Sequence, residues 1–213
     1  VASRIITRVG EFHARALGEL ERRARQQRWE EYLGAGRPVR LRVTCRKSRL
    51  YHTDAVAERI AAAIDARLGG GTDVGVAKGD EESIAEDAQL VVVRLLHDRC
   101  TLSIDSSGAL LHRRGYRLAT AKAPLRETLA AALLLASEWD VRSPLLDPMC
   151  GSGTIVTEGA LLARRIAPGL HRRFAFMDWP DFDAALWRRL LDEARERIRP
   201  SAPAPIQGSD RDA

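Results

Sequence analysis

Leu145-Leu146-Asp147-Pro148-Met149-Cys150-Gly151-Ser152-Gly153-Thr154 reads as a short apolar strand that ends on an acid, passes through a glycine turn and opens a helix. Without a Cβ, Gly151 and Gly153 let the backbone turn sharply and come close to a ligand. A helix opening at Thr154 points its free N–H groups and the positive end of its dipole at whatever rests on the turn. Strand, turn and helix in this order begin a doubly wound α/β sheet. Two common glycine loops do not fit. A phosphate-cradling loop needs Gly-Lys-Ser/Thr and no lysine is present, while a dinucleotide fingerprint needs a third glycine where Val156 stands.

A ligand with an amino-acid tail and a nucleoside suits the turn better. Its carboxylate fits the turn and helix N-terminus, its ammonium fits Asp147, and its ribose hydroxyls call for a second acid at the tip of the next strand. Asp210, closing Ile206-Gln207-Gly208-Ser209-Asp210, is placed for that role. S-adenosylmethionine carries all three groups. The expected cofactor cradle is therefore Asp147, Pro148, Met149, Cys150, Gly151, Ser152, Gly153, Thr154 and Asp210. Cys150 could alternatively be a nucleophile for methylation at a ring carbon, but its place inside the turn favours packing.

The rest of the chain is organised around short α/β units. Residues 3–9 read as a strand, and residues 11–33 as a helix with Phe12, Leu17, Leu20 and Ala24 on one stripe. Arg22, Arg23 and residues 25–28 read as its solvated side. Residues 39–45 alternate as a half-buried strand. The basic run Arg46-Lys47-Ser48-Arg49 follows, then a helix from Thr53, its N-cap, to about residue 68. Residues 89–96 and 100–105 form a hairpin about His97-Asp98-Arg99. Helices are expected at 125–139, 154–166 and 181–199, and strands at 144–147 and 206–210.

Composition sets wider bounds. Lys and Arg number 34 against 29 Asp and Glu, a net charge of +5 that permits a nucleic-acid partner without requiring one. No stretch is long and apolar enough to read as a bilayer span. Cys45, Cys100 and Cys150 lie far apart, which speaks against a disulfide framework or zinc site and suits a reducing cytoplasm. His52 and His112 have no partners at ligand spacing, so no metal is expected. The chain opens on an apolar strand and stops after another, as an excerpt from a longer protein would.

The Asp147–Thr154 turn resembles the cofactor loop of methyltransferases that act on exocyclic amino groups of RNA bases. Arg114-Gly115-Tyr116-Arg117 and Ala123-Pro124-Leu125-Arg126-Glu127-Thr128 resemble the segment preceding that loop in guanine-N2 RNA methyltransferases. Arg46-Lys47-Ser48-Arg49-Leu50-Tyr51-His52 resembles the THUMP RNA-binding domain of the same enzymes, and residues 2–6 with Glu11-Phe12 resemble the end of their ferredoxin-like piece. The nearest likeness is to the bacterial large-subunit ribosomal RNA enzymes.

The resemblance implies an α/β chain in four parts: the end of a ferredoxin-like region at 1–36, a THUMP domain at 37–106, a linker at 107–122, and the first β-α-β of a Rossmann-like methyltransferase domain at 123–213. It implies S-adenosylmethionine as cofactor and RNA as partner, contacted by Arg46, Lys47, Arg49, Arg113, Arg114 and Arg117. For each basic group a solvated charge run is the rival reading, and Tyr116 could equally pack or touch cofactor. The family's Asn/Asp-Pro-Pro-Tyr/Phe catalytic motif does not occur in these residues, so no catalytic residue is assigned and the chain alone is expected to be inactive. Transfer RNA fits as substrate as well as ribosomal RNA; the basic THUMP-like unit argues against DNA, and the presence of both Asp147 and Asp210 argues against a purely RNA-binding module without cofactor. Trp179, Trp187 and residues 174–176 read as core of an insertion between helix and second strand.

Overall fold

The computed structural model describes residues 2–34, 36–77, 87–116 and 125–211. The chain divides into two compact units, one of residues 4–110 with 174–182, the other of residues 1–3, 111–173 and 183–213.

The first unit is a five-stranded sheet in the order β1-β5-β4-β2-β3, with β1 at Ile6–His13, β2 at Val39–Arg46, β3 at Val74–Val76, β4 at Gln89–Leu96 and β5 at Arg99–Asp105. β2 runs parallel to β3 and β4, while β5 is antiparallel to both β4 and β1. Helices α1 (Leu17–Arg25) and α2 (Thr53–Arg67) cover one face. Period-two alternation turns Val39, Leu41, Val91, Val93, Leu95, Leu102 and Ile104 into a core with Leu20, Trp29, Ile60 and Ile64. The β4–β5 connection is a two-residue turn with both φ values positive, His97 at 51° and Asp98 at 59°, the backbone that a tight hairpin requires.

Two local expectations give way to long-range pairing, and a helix cap shifts by one residue. The helix read over 11–33 is instead strand to His13, a nine-residue helix and a short 3-10 turn at Trp29–Glu31. Phe12 pairs with Cys100 and Glu11 with Thr101, so the sheet claims residues whose spacing also fits a helix. Since β1 is an edge of the same sheet as β2, β4 and β5, residues 4–36 are not a separate piece. Thr53 is the first helical residue, preceded by His52 with no side-chain cap.

The second unit holds α3 (Glu127–Ala136), β6 (Leu145–Asp147), α4 (Thr154–Ala163), α5 (Ala184–Glu196) and β7 (Ile206–Gly208). β6 and β7 are parallel, pairing Leu145 with Ile206, Leu146 with Gln207 and Asp147 with Gly208. This is the expected β-α-β opening. Asp183 caps α5, its carboxylate accepting from the N–H groups of Ala185 at 3.0 Å and Leu186 at 2.8 Å.

Candidate cofactor site and basic surface

The tips of β6 and β7 and the turn before α4 form one hydrogen-bonded assembly. Asp147 stands at the end of β6; its backbone carbonyl accepts from Ser209 N–H at 2.9 Å, and Cys150 N–H donates to the Ser209 carbonyl at 3.0 Å. The Asp147 carboxylate accepts from Met149 N–H at 3.2 Å, and Asp210 accepts from Gly151 N–H at 2.7 Å. Both expected acids thus meet the same turn from neighbouring strands.

Glycine is required at two points of that turn. Gly151 has φ 52° and Gly153 φ 76°, in the left-handed region. Gly153 is the N-cap of α4 and no side chain caps the first turn, so that turn is built from backbone alone. Thr154 is buried, whereas Met149 is 84% exposed. Gly208 matters for space: a Cβ there would lie 3.0 Å from both Cβ and Sγ of Cys150. Sequence reading missed Gly208, because its demand comes from a residue 58 positions earlier. The same contact gives Cys150 a packing role.

Behind the turn, Glu158 of α4 is buried with 2% exposure. Arg114 donates to its carboxylate at 3.1 Å and the Tyr116 hydroxyl at 3.0 Å. Burial pushes the Glu158 carboxyl above its ordinary value of 4.5, against the opposing pull of Arg114 and Tyr116. Arg114, expected to face RNA, is therefore turned inward: its side chain is 9% exposed and ion-paired. Tyr116 packs beside it through Glu158. Arg113 is exposed. Arg117, Ala123 and Pro124 lie outside the described residues.

Arg46, Lys47 and Arg49 are exposed at the end of β2. Their turn is fixed by Asp98, which accepts from Arg49 N–H at 2.7 Å and from Arg15 at 3.1 Å. Ser48 Oγ donates to the Arg46 carbonyl at 2.9 Å and accepts from Asp98 N–H at 3.0 Å. The Arg49 N–H bond, then Arg15, holds the Asp98 carboxyl below its usual range. Trp179, Phe176 and Ala175 pack in the first unit, where Trp179 Nε1 donates to Gln89 Oε1 at 3.1 Å. Burial pushes the Cys100 thiol up to about 12, which makes it unreactive. Among the described residues no helix is long and apolar enough to cross a membrane, and no cluster of His, Cys, Asp and Glu is arranged for a metal.

Residues 114–213 match the family model described as UPF0020: RMKL-like, methyltransferase domain. The chain is 37% identical over 216 residues to ribosomal RNA large subunit methyltransferase K/L of Aliivibrio fischeri, covering 100% of this chain and 30% of that protein. A crystal structure of "a predicted N6-adenine-specific DNA methylase from Listeria monocytogenes" superposes with TM-score 0.84 at 34% identity, over 98% of this chain and 54% of that one. A second, described as "SMU.472, a putative methyltransferase complexed with SAH", gives 0.81 at 33% identity, over 97% and 54%. The chain spans half or less of the length of the curated relatives it matches first. Residues 114–213 are thus similar to an RMKL-like methyltransferase domain, and the chain over its whole length is similar to part of ribosomal RNA large subunit methyltransferase K/L.

Proposed function

We propose that this chain is the RNA-binding and cofactor-binding portion of an S-adenosylmethionine-dependent RNA methyltransferase of the cytoplasm, whose target is the exocyclic N2 amino group of guanine in ribosomal RNA. The observation that carries the reading is the convergence of Asp147 and Asp210 on one left-handed glycine turn at the tips of parallel strands. The relative described with bound SAH has the same fold over 97% of this chain, which supports S-adenosylmethionine as the ligand of that turn.

Asp147 faces the ammonium of that ligand, the turn and the uncapped start of α4 take its carboxylate, and Asp210 takes the ribose. The cofactor supplies a methyl group on a positively charged sulfur. The chain's own task is to hold that sulfur in line with an incoming nitrogen. An aromatic amino group is a weak nucleophile because its lone pair is shared with the ring, so the site also needs an acceptor for the amino hydrogens. No Asn/Asp-Pro-Pro-Tyr/Phe stretch occurs in the 213 residues, and these residues alone are proposed not to transfer methyl groups.

The first unit is proposed to act as a THUMP-type RNA-binding domain, with Arg46, Lys47 and Arg49 on phosphates, and the target guanine turned out of its stack to reach the second unit. Transfer RNA would satisfy the same chemistry. The Listeria relative's description favours a DNA amino group as the second reading. Mapping methylated guanines in RNA from a strain lacking the gene distinguishes them: one guanine in large-subunit RNA should lose its methyl group. Unchanged RNA with altered DNA methylation would overturn the reading.

A further inference from the structure

On β2 and β4 the residues that face away from α1 and α2 include Thr44, Arg46, Arg94 and Leu96, with Thr44 opposite Arg94 and Arg46 opposite Leu96. Together with Leu95 they line a cavity of about 280 Å³, room for a phosphodiester rather than a single water. Neither Arg46 nor Arg94 has an ion pair to a described residue. The carboxylates closest in the sheet are engaged elsewhere: Glu11, two strands from Arg94, pairs with Arg8 and Arg99, and Asp98 pairs with Arg15. Two exposed arginines on adjacent strands, with no acid between them, repel each other and add nothing to the stability of the sheet.

We infer that this cavity is a phosphate-binding site for the backbone of RNA, clamped by Arg46 and Arg94, and continuing the basic turn of Lys47 and Arg49. It rests on the RNA reading above and adds Arg94, which lies 45 residues beyond that turn in sequence. The geometry suits a chain of phosphates better than a lone anion. The turn that follows Arg46 is held rigid by Ser48 and Asp98, with Lys47 at φ 48°, so the cations stand in fixed succession. Tyr51 then presents a ring 68% exposed, tilted by 40° against His52 with 4.0 Å between centroids, a surface on which an unpaired base can stack. Guanidinium groups supply paired N–H donors to phosphate oxygens, where a lysine would offer a point charge.

The test is binding of the full-length protein to a fluorescein-labelled hairpin RNA with a single-stranded loop, by anisotropy across a potassium chloride series. Arg94→Ala and Arg46→Ala should each weaken binding about tenfold and lower the slope of log affinity against log salt by roughly one. Arg94→Lys should keep the slope. Arg195→Ala on α5, whose partner is Asp192, should change neither. If alanine perturbs β4, Arg94→Gln, which keeps the stem and a polar head, should give the same loss. Wild-type binding with unchanged affinity and slope in the Arg94 variants overturns the site and leaves the RNA reading standing. A wild-type protein that binds no RNA overturns both.

Discussion

The Asp210 carboxylate accepts a hydrogen bond from the Gly151 backbone N–H at 2.7 Å, tying the end of β7 to the turn before α4 across 59 residues of sequence. A charged acceptor on a backbone N–H contributes about 1.5–3 kcal/mol, so Asp210 shapes the turn as well as facing the proposed ribose. Asp210→Ala should weaken S-adenosylmethionine binding at least tenfold in the full-length protein, measured by calorimetric titration, with Asp147→Ala losing a similar amount. Wild-type heat in both variants would mean that the cradle is elsewhere.

Gly208 stands where a methyl group would press on the Cβ of Cys150. That Cβ moves only with the turn backbone, so the strain passes directly into the turn before α4. Gly208→Ala is expected to cost about 1–2 kcal/mol of stability and to weaken cofactor binding several-fold while the first unit melts unchanged. Restoration of binding by the double variant Gly208→Ala with Cys150→Gly would tie the effect to this contact; no rescue would refute that origin.

Asp210 shows where sequence reading succeeds and Gly208 where it stops. The turn was legible because its demands are local: glycine for positive φ, an acid at a strand end, a helix opening at Thr154. Asp210 was legible because one strand later is a fixed offset in a β-α-β unit. Phe12 was misassigned because its partner, Cys100, is remote and the strand pairing outweighs a helical stripe. Arg114 read as a surface cation until Glu158, 44 residues on, is seen beneath it. Gln89 gave no signal at all, although it is fully buried and binds Asp105 and Trp179.

The Arg114–Glu158 pair makes the second unit pH-sensitive. Burial raises the folded pKa of Glu158 above its unfolded value of 4.5, and Glu127 adds to the rise. The folded state therefore holds its proton more tightly. The contribution of this group to stability is fully present below pH 4.5 and is lost as pH rises through the folded pKa. Glu158→Gln keeps an acceptor for Tyr116 and cannot ionise. Its melting temperature should lose the component of the wild-type slope that falls as pH is raised from 4.5, as followed by circular dichroism. An identical slope in the two proteins would remove Glu158 as its source.

Trp179 lies 90 residues beyond Gln89, yet its indole N–H donates to the Gln89 side-chain oxygen, and its ring meets Tyr32 edge-on at 5.1 Å. The Gln89 amide in turn donates to the Asp105 carbonyl at 2.8 Å. A segment placed between α4 and α5 in sequence thereby completes the polar core of the five-stranded sheet unit. Trp179→Ala removes the aromatic contact and leaves the fully buried Gln89 oxygen with Arg37, at 3.4 Å, as its remaining donor. The expected loss is roughly 3 kcal/mol. Hydrogen exchange should report it as faster exchange in β4 and β5, with α4 unaffected. Trp179→Phe, which restores the ring without the N–H, should recover about half. Unchanged protection of β4 in Trp179→Ala would show that this segment adds nothing to the sheet's stability.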